Sequence, residues 1–281
     1  MNPTTTLPAP LASADLSRVQ AVFADVDGTL TTEAVLESST VRALELLRDA
    51  GLRVVLVSGR PAGWAECWAR SLPVEGVIAE NGALYFAHLP EGGLKKVYAQ
   101  RPSDRRKIRA RLWREVRRAI RQVPGARLSQ DSLYTEVDLA IDYNEEVQLG
   151  SAAADRLEEV LRERGVRAVR SNVHVNCWIG GFDKLTTVER YMQRQWRVRL
   201  KPGDLRFVYV GDSFNDATLF EAFQLSVGVA NVRDVLNRIP AAPAFITRER
   251  EGRGFRELVR ELLVQRRRIR STGRWRRPSR R

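Results

Sequence analysis

The chain has 281 residues with 47 Lys and Arg against 34 Asp and Glu, a formal net charge of +13, and 43% hydrophobic residues. This size allows one large or two small domains, and the hydrophobic fraction excludes a mainly disordered chain, while no run approaches the roughly 20 apolar residues of a membrane span. At face value the positive charge suggests an anionic partner such as nucleic acid.

The first part of the chain alternates strands and helices. Residues 1–18 lack the basic start and the apolar stretch of a signal peptide, so we predict a flexible lead-in there. From residue 19 to residue 87, buried apolar runs alternate with amphipathic helical stripes, which is typical of an α/β fold with a doubly wound parallel sheet. These elements are predicted at 22–24, 41–47, 53–57, 61–71 and 77–79.

The pattern changes between residues 88 and 180. A regular apolar stripe predicts a helix over 103–121, and Arg covers its remaining surface. Partly alternating strands and a second helix follow. These elements are predicted at 132–143, 152–164, 166–170 and 173–179. We therefore predict a small α+β domain inserted into the α/β core.

The core pattern resumes over residues 181–264. Helices are predicted at 184–197 and 214–223, and strands at 207–210 and 226–229. Beyond them, residues 265–281 hold nine Arg, no acid and no apolar stripe, which predicts an Arg-rich disordered tail.

Most of the positive charge lies in two of these segments. Residues 265–281 carry +9 and residues 101–121 carry +8, so the rest of the chain carries −4. The charge is therefore weak evidence for nucleic-acid binding, which the basic helix and the tail leave open as an alternative. Cys67 and Cys177 have neither metal-ligand spacing nor the number that a disulfide framework needs, and we expect a cytoplasmic protein.

Polar side chains converge at one edge of the predicted sheet, because ligands of open α/β sheets bind beyond the carboxyl ends of the strands. They are Asp25, Asp27, Ser58, Lys184, Asp212 and Asp216. Carboxylates at close range repel one another unless a cation neutralises them, and hard oxygen ligands favour Mg²⁺, which also binds substrate phosphate. Lys184, the Ser58 hydroxyl and the backbone N–H of Gly59 are suited to hold a phosphoryl group.

Four motifs carry a family resemblance. The sequence resembles the motifs of the haloacid dehalogenase (HAD) superfamily, in order, at residues 25–30, residues 58–60, Lys184 and residues 211–216. The resemblance implies a Rossmann-like parallel-sheet core. Dehalogenases and phosphonatases of that superfamily lack the second acid of the first motif, so the presence of Asp27 points to phosphatases and phosphomutases.

The spacing of these motifs locates a cap domain. The 31 residues from Asp27 to Ser58 leave no room for a domain, whereas the 126 residues from Ser58 to Lys184 must hold one. An α+β domain at 88–180 resembles the C2B-type cap of subfamily IIB. That subfamily includes the sucrose-phosphate, mannosyl-3-phosphoglycerate and archaeal phosphoglycolate phosphatases, and phosphomannomutases.

The resemblance also implies the chemical steps. Asp25 would attack phosphorus to form an aspartyl phosphate and would ligate Mg²⁺. Asp27 would protonate the leaving oxygen, then activate water, and would lend its backbone carbonyl to the metal. The cap would close over the core to exclude water and select the substrate.

The other motif residues would hold the phosphoryl group and the metal. Ser58, Gly59 and Lys184 would bind the phosphoryl group, and catalysis would be mostly positioning and charge stabilisation. Asp212 would ligate the metal. Asp216 would either ligate it or orient Lys184.

Further polar residues are candidates for substrate contact, although each could equally shape a turn or line the wet face of a strand. They are Asn81, Glu136, Asp138, His174, Asn176 and Asn215. The leading expectation is a Mg²⁺-dependent phosphatase of a small phosphorylated metabolite, with sugar phosphates ahead of phosphoglycolate. A phosphomutase of the same fold is the alternative.

Overall fold

The computed structural model describes residues 7–171 and 173–271, which form thirteen strands and seven α-helices. The strands are β1 (Ala9–Pro10), β2 (Ala21–Ala24), β3 (Arg53–Val57), β4 (Gly76–Ala79), β5 (Leu84–His88), β6 (Leu94–Tyr98), β7 (Arg127–Leu128), β8 (Leu139–Asp142), β9 (Arg167–Arg170), β10 (His174–Trp178), β11 (Phe207–Gly211), β12 (Leu225–Gly228) and β13 (Phe245–Ile246). The helices are α1 (Ser38–Asp49), α2 (Ala62–Ser71), α3 (Pro102–Gln122), α4 (Gly150–Glu163), α5 (Lys184–Tyr191), α6 (Ala217–Ala222) and α7 (Glu251–Ser271).

The larger sheet has nine strands in the order β1-β13-β12-β11-β2-β3-β4-β5-β6. All neighbours from β1 to β4 are parallel, whereas β5 and β6 add an antiparallel edge. The strand order turns back on itself around β2, so the carboxyl ends of β2, β3 and β11 lie side by side. That edge is where an open α/β sheet binds its ligands.

Helices cover both faces of this sheet, because successive side chains of each strand point to opposite faces. Val22 and Val54 belong to one apolar cluster, which includes the buried faces of α1, α2 and α7. Phe23 and Val55 belong to the other cluster, with the buried residues of α5 and α6. The fold is therefore α/β and doubly wound, as the sequence predicts.

The smaller sheet is antiparallel, in the order β7-β8-β10-β9. Leu139, Ile141, Val175 and Cys177 pack with α3 and α4 in a separate apolar cluster. Alternation turns the intervening residues of β8 and β10 to the opposite face of the sheet, which looks toward the larger sheet.

Strand β6 belongs to the larger sheet, although the sequence prediction assigned residues 88–180 to the inserted domain. It pairs antiparallel with β5 from Leu84↔Tyr98 to His88↔Leu94. The hairpin extends the edge of the large sheet and shifts the start of the inserted unit by one strand. The partly alternating stretch 132–143 also departs from prediction, because only Leu139–Asp142 is a strand, and a 3₁₀ turn precedes it.

The predicted flexible lead-in is wrong for its described part. Strand β1 pairs with β13, and Leu11 and Leu16 are buried in the core. Gln265 of α7 fixes this segment, since its side chain accepts from the N–H of Leu16 at 2.9 Å and donates to Ala14 O at 3.0 Å. Residues 1–6 lie outside the described part of the chain.

Helix α7 continues through Ser271, so the prediction of a disordered tail at 265–281 is wrong up to that residue. The buried Leu258 and Leu262 hold the helix against the core. Residues 272–281 lie outside the described residues. Among the helices in the described ranges, none is both long and apolar enough to cross a membrane.

Candidate active site

Three parallel strands deliver buried polar side chains to one point. Asp25 directly follows β2, and its backbone N–H donates to Val210 O of β11 at 2.9 Å. Ser58 follows β3 and Asp212 follows β11, and all three side chains are almost fully buried. Parallel pairing therefore places side chains that are far apart in the chain against each other.

Lys184, at the start of α5, adds a cation to this group. Asp183 caps the helix by accepting the N–H of Thr186 at 2.8 Å. The Lys184 Nζ donates to Asp25 Oδ1 and to Asp216 Oδ1, both at 2.7 Å. Burial alone disfavours the ammonium, but the two carboxylates outweigh it and raise the pKa of Lys184 above its usual value.

Both carboxylate oxygens of Asp216 are already occupied by donors. Its Oδ1 also accepts from the Tyr209 hydroxyl at 2.6 Å, and its Oδ2 accepts from the backbone N–H groups of Asp212 and Ser213 at 2.9 and 3.0 Å. Gly211 permits this approach, because a Cβ there would lie 2.5 Å from Asp216 Oδ2. Of the two roles left open by the sequence, this arrangement favours orienting the lysine.

Asp212 is fixed by neutral donors. Asn231 Nδ2 donates to Asp212 Oδ2 at 2.7 Å and to Gly28 O at 3.0 Å, and its Oδ1 accepts from the N–H of Glu251 at 2.9 Å. Thr29 Oγ1 donates to Asp212 Oδ1 at 3.2 Å. Asn231 therefore joins the loop after β2, the loop after β11 and the start of α7.

The carboxylates at this edge fit a hard divalent cation. Asp25, Asp212 and Asp216 each bring one oxygen within 4.8 Å of the others, and of these three Asp216 already accepts donors at both of its oxygens. Burial raises the pKa of Asp25 well above its usual range, despite the neighbouring Lys184. Three buried carboxylates against one ammonium leave negative charge to be balanced, and an all-oxygen donor set is the kind that Mg²⁺ prefers.

Arg60 lies between the two sheets. Its Nε donates to both carboxylate oxygens of Asp27 at 3.0 and 3.1 Å. Its Nη1 donates to Asp131 Oδ2 at 3.2 Å and its Nη2 to Glu145 Oε1 at 3.1 Å. His174 Nε2 lies 2.8 Å from Glu145 Oε2. The approach of His174, followed by the charge of Arg60, lowers the pKa of Glu145 to about 2 despite partial burial.

A cavity of about 280 Å³ lies between the sheet edge and the open face of the smaller sheet. Alternation along β10 brings His174 and Asn176 to its wall, and Asp138 precedes β8 on the same side. Asn81 Nδ2 donates to Asp138 Oδ2 at 3.2 Å. Among the described residues, Asn81 Oδ1 and Asp138 Oδ1 are buried oxygens without a hydrogen-bond partner.

Comparison with known proteins identifies the family. A model of haloacid dehalogenase-like hydrolases matches residues 22–113. The phosphoglycolate phosphatase of Pyrobaculum aerophilum is 31% identical over 245 residues, which cover 85% of this chain and 93% of that protein. The chain belongs to the haloacid dehalogenase-like hydrolase family. The phosphoglycolate phosphatase of Methanopyrus kandleri is 27% identical over 250 residues, covering 87% of this chain and 97% of that protein.

Solved structures of the HAD fold superpose on almost the whole chain. A protein of Thermoplasma acidophilum gives a TM-score of 0.65 at 18% identity and covers 88% of this chain and 99% of its own. The sucrose-phosphatase of Synechocystis gives a TM-score of 0.61 at 16% identity, and the superposition covers 87% of this chain and 98% of the sucrose-phosphatase. These structures confirm the predicted α/β fold class, and the family model and the relatives above confirm the predicted superfamily and the enzyme class, a phosphatase.

The structure brings the HAD core motifs together at the sheet edge where the sequence predicts them. Asn215 lines the cavity, where Ser213 Oγ donates to its Oδ1 at 2.7 Å. Gly59 lies at the same wall, and a Cβ there would lie 3.1 Å from Asn81 Oδ1. Glu136 does not line the cavity. Its carboxylate pairs with Lys96 Nζ at 2.6 Å, because the hairpin edge of the large sheet reaches it.

Three residues with defined positions received no role from the sequence. Arg60 was visible as part of the second HAD motif, but its partners in the smaller sheet were not. Asn231 lies in a 3₁₀ turn after β12, and nothing in the local sequence marks it. Glu80 is fully buried and accepts backbone N–H groups from both units, a role that only tertiary structure reveals.

Proposed function

We propose that this HAD phosphatase is Mg²⁺-dependent and hydrolyses a small phosphorylated metabolite through an aspartyl phosphate. The observation that carries the proposal is the buried Asp25 carboxylate, whose Oδ1 contacts the Lys184 ammonium at 2.7 Å beside two further acids. A carboxylate beside a cation site can act as the nucleophile on phosphorus.

Each residue of the core motifs then has a defined task. One oxygen of Asp25 attacks phosphorus, and Asp27 protonates the leaving oxygen and later takes a proton from water. Ser58 and Lys184, with the backbone N–H of Gly59, hold the phosphoryl group. Asp216 keeps the ammonium of Lys184 directed at the reacting group.

Mg²⁺ would be held by the Asp25 carboxylate, by Asp212 and by the backbone carbonyl of Asp27, and it would supply positive charge against the phosphoryl oxygens. Asn231 and Thr29 support the assignment of Asp212, because they fix its carboxylate without adding positive charge of their own.

We also propose that residues 99–180 act as a cap, a finer boundary than residue 88. The smaller sheet turns its polar face to the reaction centre across the cavity. Arg109 of α3 supports that face, since its guanidinium donates to the carbonyls of Asp138 at 3.0 Å and Thr135 at 2.8 Å. A cap in this position excludes water and contacts the leaving group.

The charge of the cavity favours a hydroxyl-rich leaving group. Glu145 stays ionised, because its pKa is lowered to about 2, and Asp27 and Asp131 are acidic as well. The carboxylate of phosphoglycolate would meet these charges, whereas a sugar hydroxyl can donate to the unpartnered Oδ1 of Asp138, which lines the cavity. We therefore place sugar phosphates ahead of phosphoglycolate, although the relatives above carry the latter name.

The mechanism is tested by Asp25→Asn in a phosphate-release assay with p-nitrophenyl phosphate and Mg²⁺. We expect kcat to fall by at least about 10³-fold, because the amide is not a nucleophile. Asp234→Asn is the matched control, since Asp234 forms an exposed ion pair with Arg250. Retained activity in Asp25→Asn, or in excess EDTA, would contradict the mechanism or the metal requirement.

The substrate is tested by kcat/KM over a panel of hexose phosphates and phosphoglycolate. We expect the best hexose phosphate to exceed phosphoglycolate by about 10-fold or more, since the unpaired buried oxygen of Asp138 penalises a leaving group that brings no donor to it. A higher value for phosphoglycolate contradicts the substrate assignment. Isomerised sugar phosphate without free phosphate would identify the phosphomutase alternative.

A further inference from the structure

Arg60 is the one residue of the second motif whose side chain reaches both units of the protein within the described ranges. Its guanidinium is 13% exposed and contacts three carboxylates from three separate segments. Asp27 belongs to the loop after β2, Asp131 to the turn after β7, and Glu145 to the loop after β8. A single planar cation therefore links the smaller sheet to the larger one.

The donors of Arg60 are divided between the two units. Nε contacts both oxygens of Asp27, while Nη1 and Nη2 each take one carboxylate from the smaller-sheet unit. A guanidinium is rigid and planar, so the directions of these donors are fixed relative to one another. When Asp131 and Glu145 hold the two Nη atoms, they also fix the direction in which Nε donates. The direction of Nε in turn orients the Asp27 carboxylate.

The partners of Arg60 are themselves held in place. Asp142 Oδ1 accepts from the N–H of Glu145 at 2.9 Å and its Oδ2 from the N–H of Glu146 at 3.1 Å, which closes the turn that presents Glu145. Ser129 Oγ donates to Asp131. Trp64 of α2 packs against the guanidinium, with 5.4 Å from Cζ to the ring centroid. The contact is therefore a built arrangement rather than a mobile surface pair.

We propose that Arg60 is a positioning residue, which orients the Asp27 carboxylate only while Asp131 and Glu145 of the cap hold its Nη groups. The inference rests on the proposed function, in which Asp27 is the general acid. It makes cap contact a condition for proton delivery to the leaving group. The Asp27 side chain is 40% exposed even in this contact, so little besides Arg60 would keep it from rotating away from the reacting oxygen.

The consequence is a dependence on the leaving group. An alkoxide leaves phosphorus slowly unless it receives a proton, whereas p-nitrophenolate leaves without one. Disturbing the orientation of the acid should therefore slow alkyl phosphates and spare the aryl phosphate. The ratio kcat/KM isolates this step, because it covers the reaction up to release of the leaving group and not the later hydrolysis of the aspartyl phosphate.

The experiment compares kcat/KM of the best alkyl phosphate from the panel with kcat/KM of p-nitrophenyl phosphate. For Arg60→Lys, whose ammonium cannot bridge three carboxylates, we expect a fall of about 10²-fold with the alkyl phosphate and less than about 5-fold with the aryl phosphate. Asp27→Asn removes the general acid itself, so its two kcat/KM values show the loss that each substrate suffers without that acid. Arg170→Lys is the matched control, because Arg170 also bridges two carboxylates, Asp155 and Glu158, away from the cavity.

The double variant Asp131→Asn with Glu145→Gln leaves Arg60 in place and removes only the two cap charges that contact its Nη groups. We expect the same selective loss in it, at about 10-fold, and it decides the proposal if Arg60→Lys does not fold. Equal losses with both substrates would overturn the proposal, since they indicate a role in phosphate binding or in stability. A wild-type protein that cleaves neither substrate would instead refute the proposed function.

Discussion

Glu80 offers a stability test that can be worked from the structure. Its side chain is fully buried and accepts four backbone N–H groups. One oxygen takes those of Ala62 at 2.9 Å and Glu136 at 2.8 Å, and the other takes those of Val137 at 2.7 Å and Asp138 at 3.0 Å. The carboxylate thereby ties the start of α2 to the segment that leads into β8.

Glu80→Gln keeps the size of the side chain but replaces one acceptor oxygen by an NH₂ group. In either orientation of the amide, two buried N–H groups then face a donor. Each unsatisfied group costs about 1–3 kcal/mol, so the two cost about 2–6 kcal/mol. Burial raises the pKa of Glu80, which means that the charged form is itself disfavoured, and losing the charge offsets part of this cost. We expect a net loss of about 3 kcal/mol.

Urea unfolding followed by tryptophan fluorescence measures this loss as a lower midpoint at unchanged slope. The control is Glu66→Gln, because Glu66 pairs with Arg70 on the exposed side of α2 and should cost less than about 0.5 kcal/mol. A loss below about 1 kcal/mol in Glu80→Gln would refute the reasoning, since the four contacts would then contribute no more than a surface pair.

Three further predictions follow from single contacts. Asn231→Ala should raise the Mg²⁺ concentration for half-maximal phosphate release by about 10-fold or more, because it removes a donor that orients the proposed ligand Asp212; an unchanged value contradicts this. Gly82→Ala should lower the free energy of unfolding by about 3 kcal/mol or more, since the added Cβ would lie 2.1 Å from the carbonyl oxygen of Asp183. Gly92→Ala is the control, because Gly92 has a similar positive φ but lies in open space, and it should cost about 1 kcal/mol. Equal losses in the two variants would exclude the clash. Thiol titration of the native protein should detect the exposed Cys67 and not the buried Cys177, and both after unfolding.

The core of the site could be predicted because the parallel sheet itself brings the residues that follow its strands together. Asp25, Ser58 and Asp212 each follow an apolar run of four or five residues, and neighbouring parallel strands end at the same edge. Local sequence fixes which residue follows a strand, and topology brings the ends together. Lys184 was predictable for a related reason, since Asp183 marks the start of its helix.

The partners of the site residues could not be predicted in this way. Asp131 and Glu145 lie 71 and 85 residues beyond Arg60 in the chain, and no period or motif connects them. Their approach depends on how the smaller sheet sits over the larger one. Asn231 is similarly 203 residues from Gly28, whose carbonyl it contacts. Single-sequence reasoning therefore identified the ends of strands and missed the contacts between units.

The two chain ends were misjudged because composition says little about what a segment packs against. The lead-in contains only a few apolar residues, but Leu11 and Leu16 find buried positions and Gln265 anchors their backbone. The arginines of 265–271 suggested a solvated tail, yet the backbone continues as helix because its earlier turns, with Leu258 and Leu262, are fixed in the core.

Charge balance connects the metal, the substrate and the cap. Lys184 contacts both Asp25 and Asp216, and Arg60 contacts three acids, so each of these two cations is already paired with more than one carboxylate. The site therefore has room for added positive charge and for hydroxyl donors, but little for a second anion beyond the phosphoryl group. A divalent cation at Asp212 would lower the cost of binding that group, and moving the cap would change which carboxylates Arg60 neutralises. Metal binding should then strengthen the hold on the phosphoryl group, whereas cap contact should change how strongly the rate depends on the leaving group.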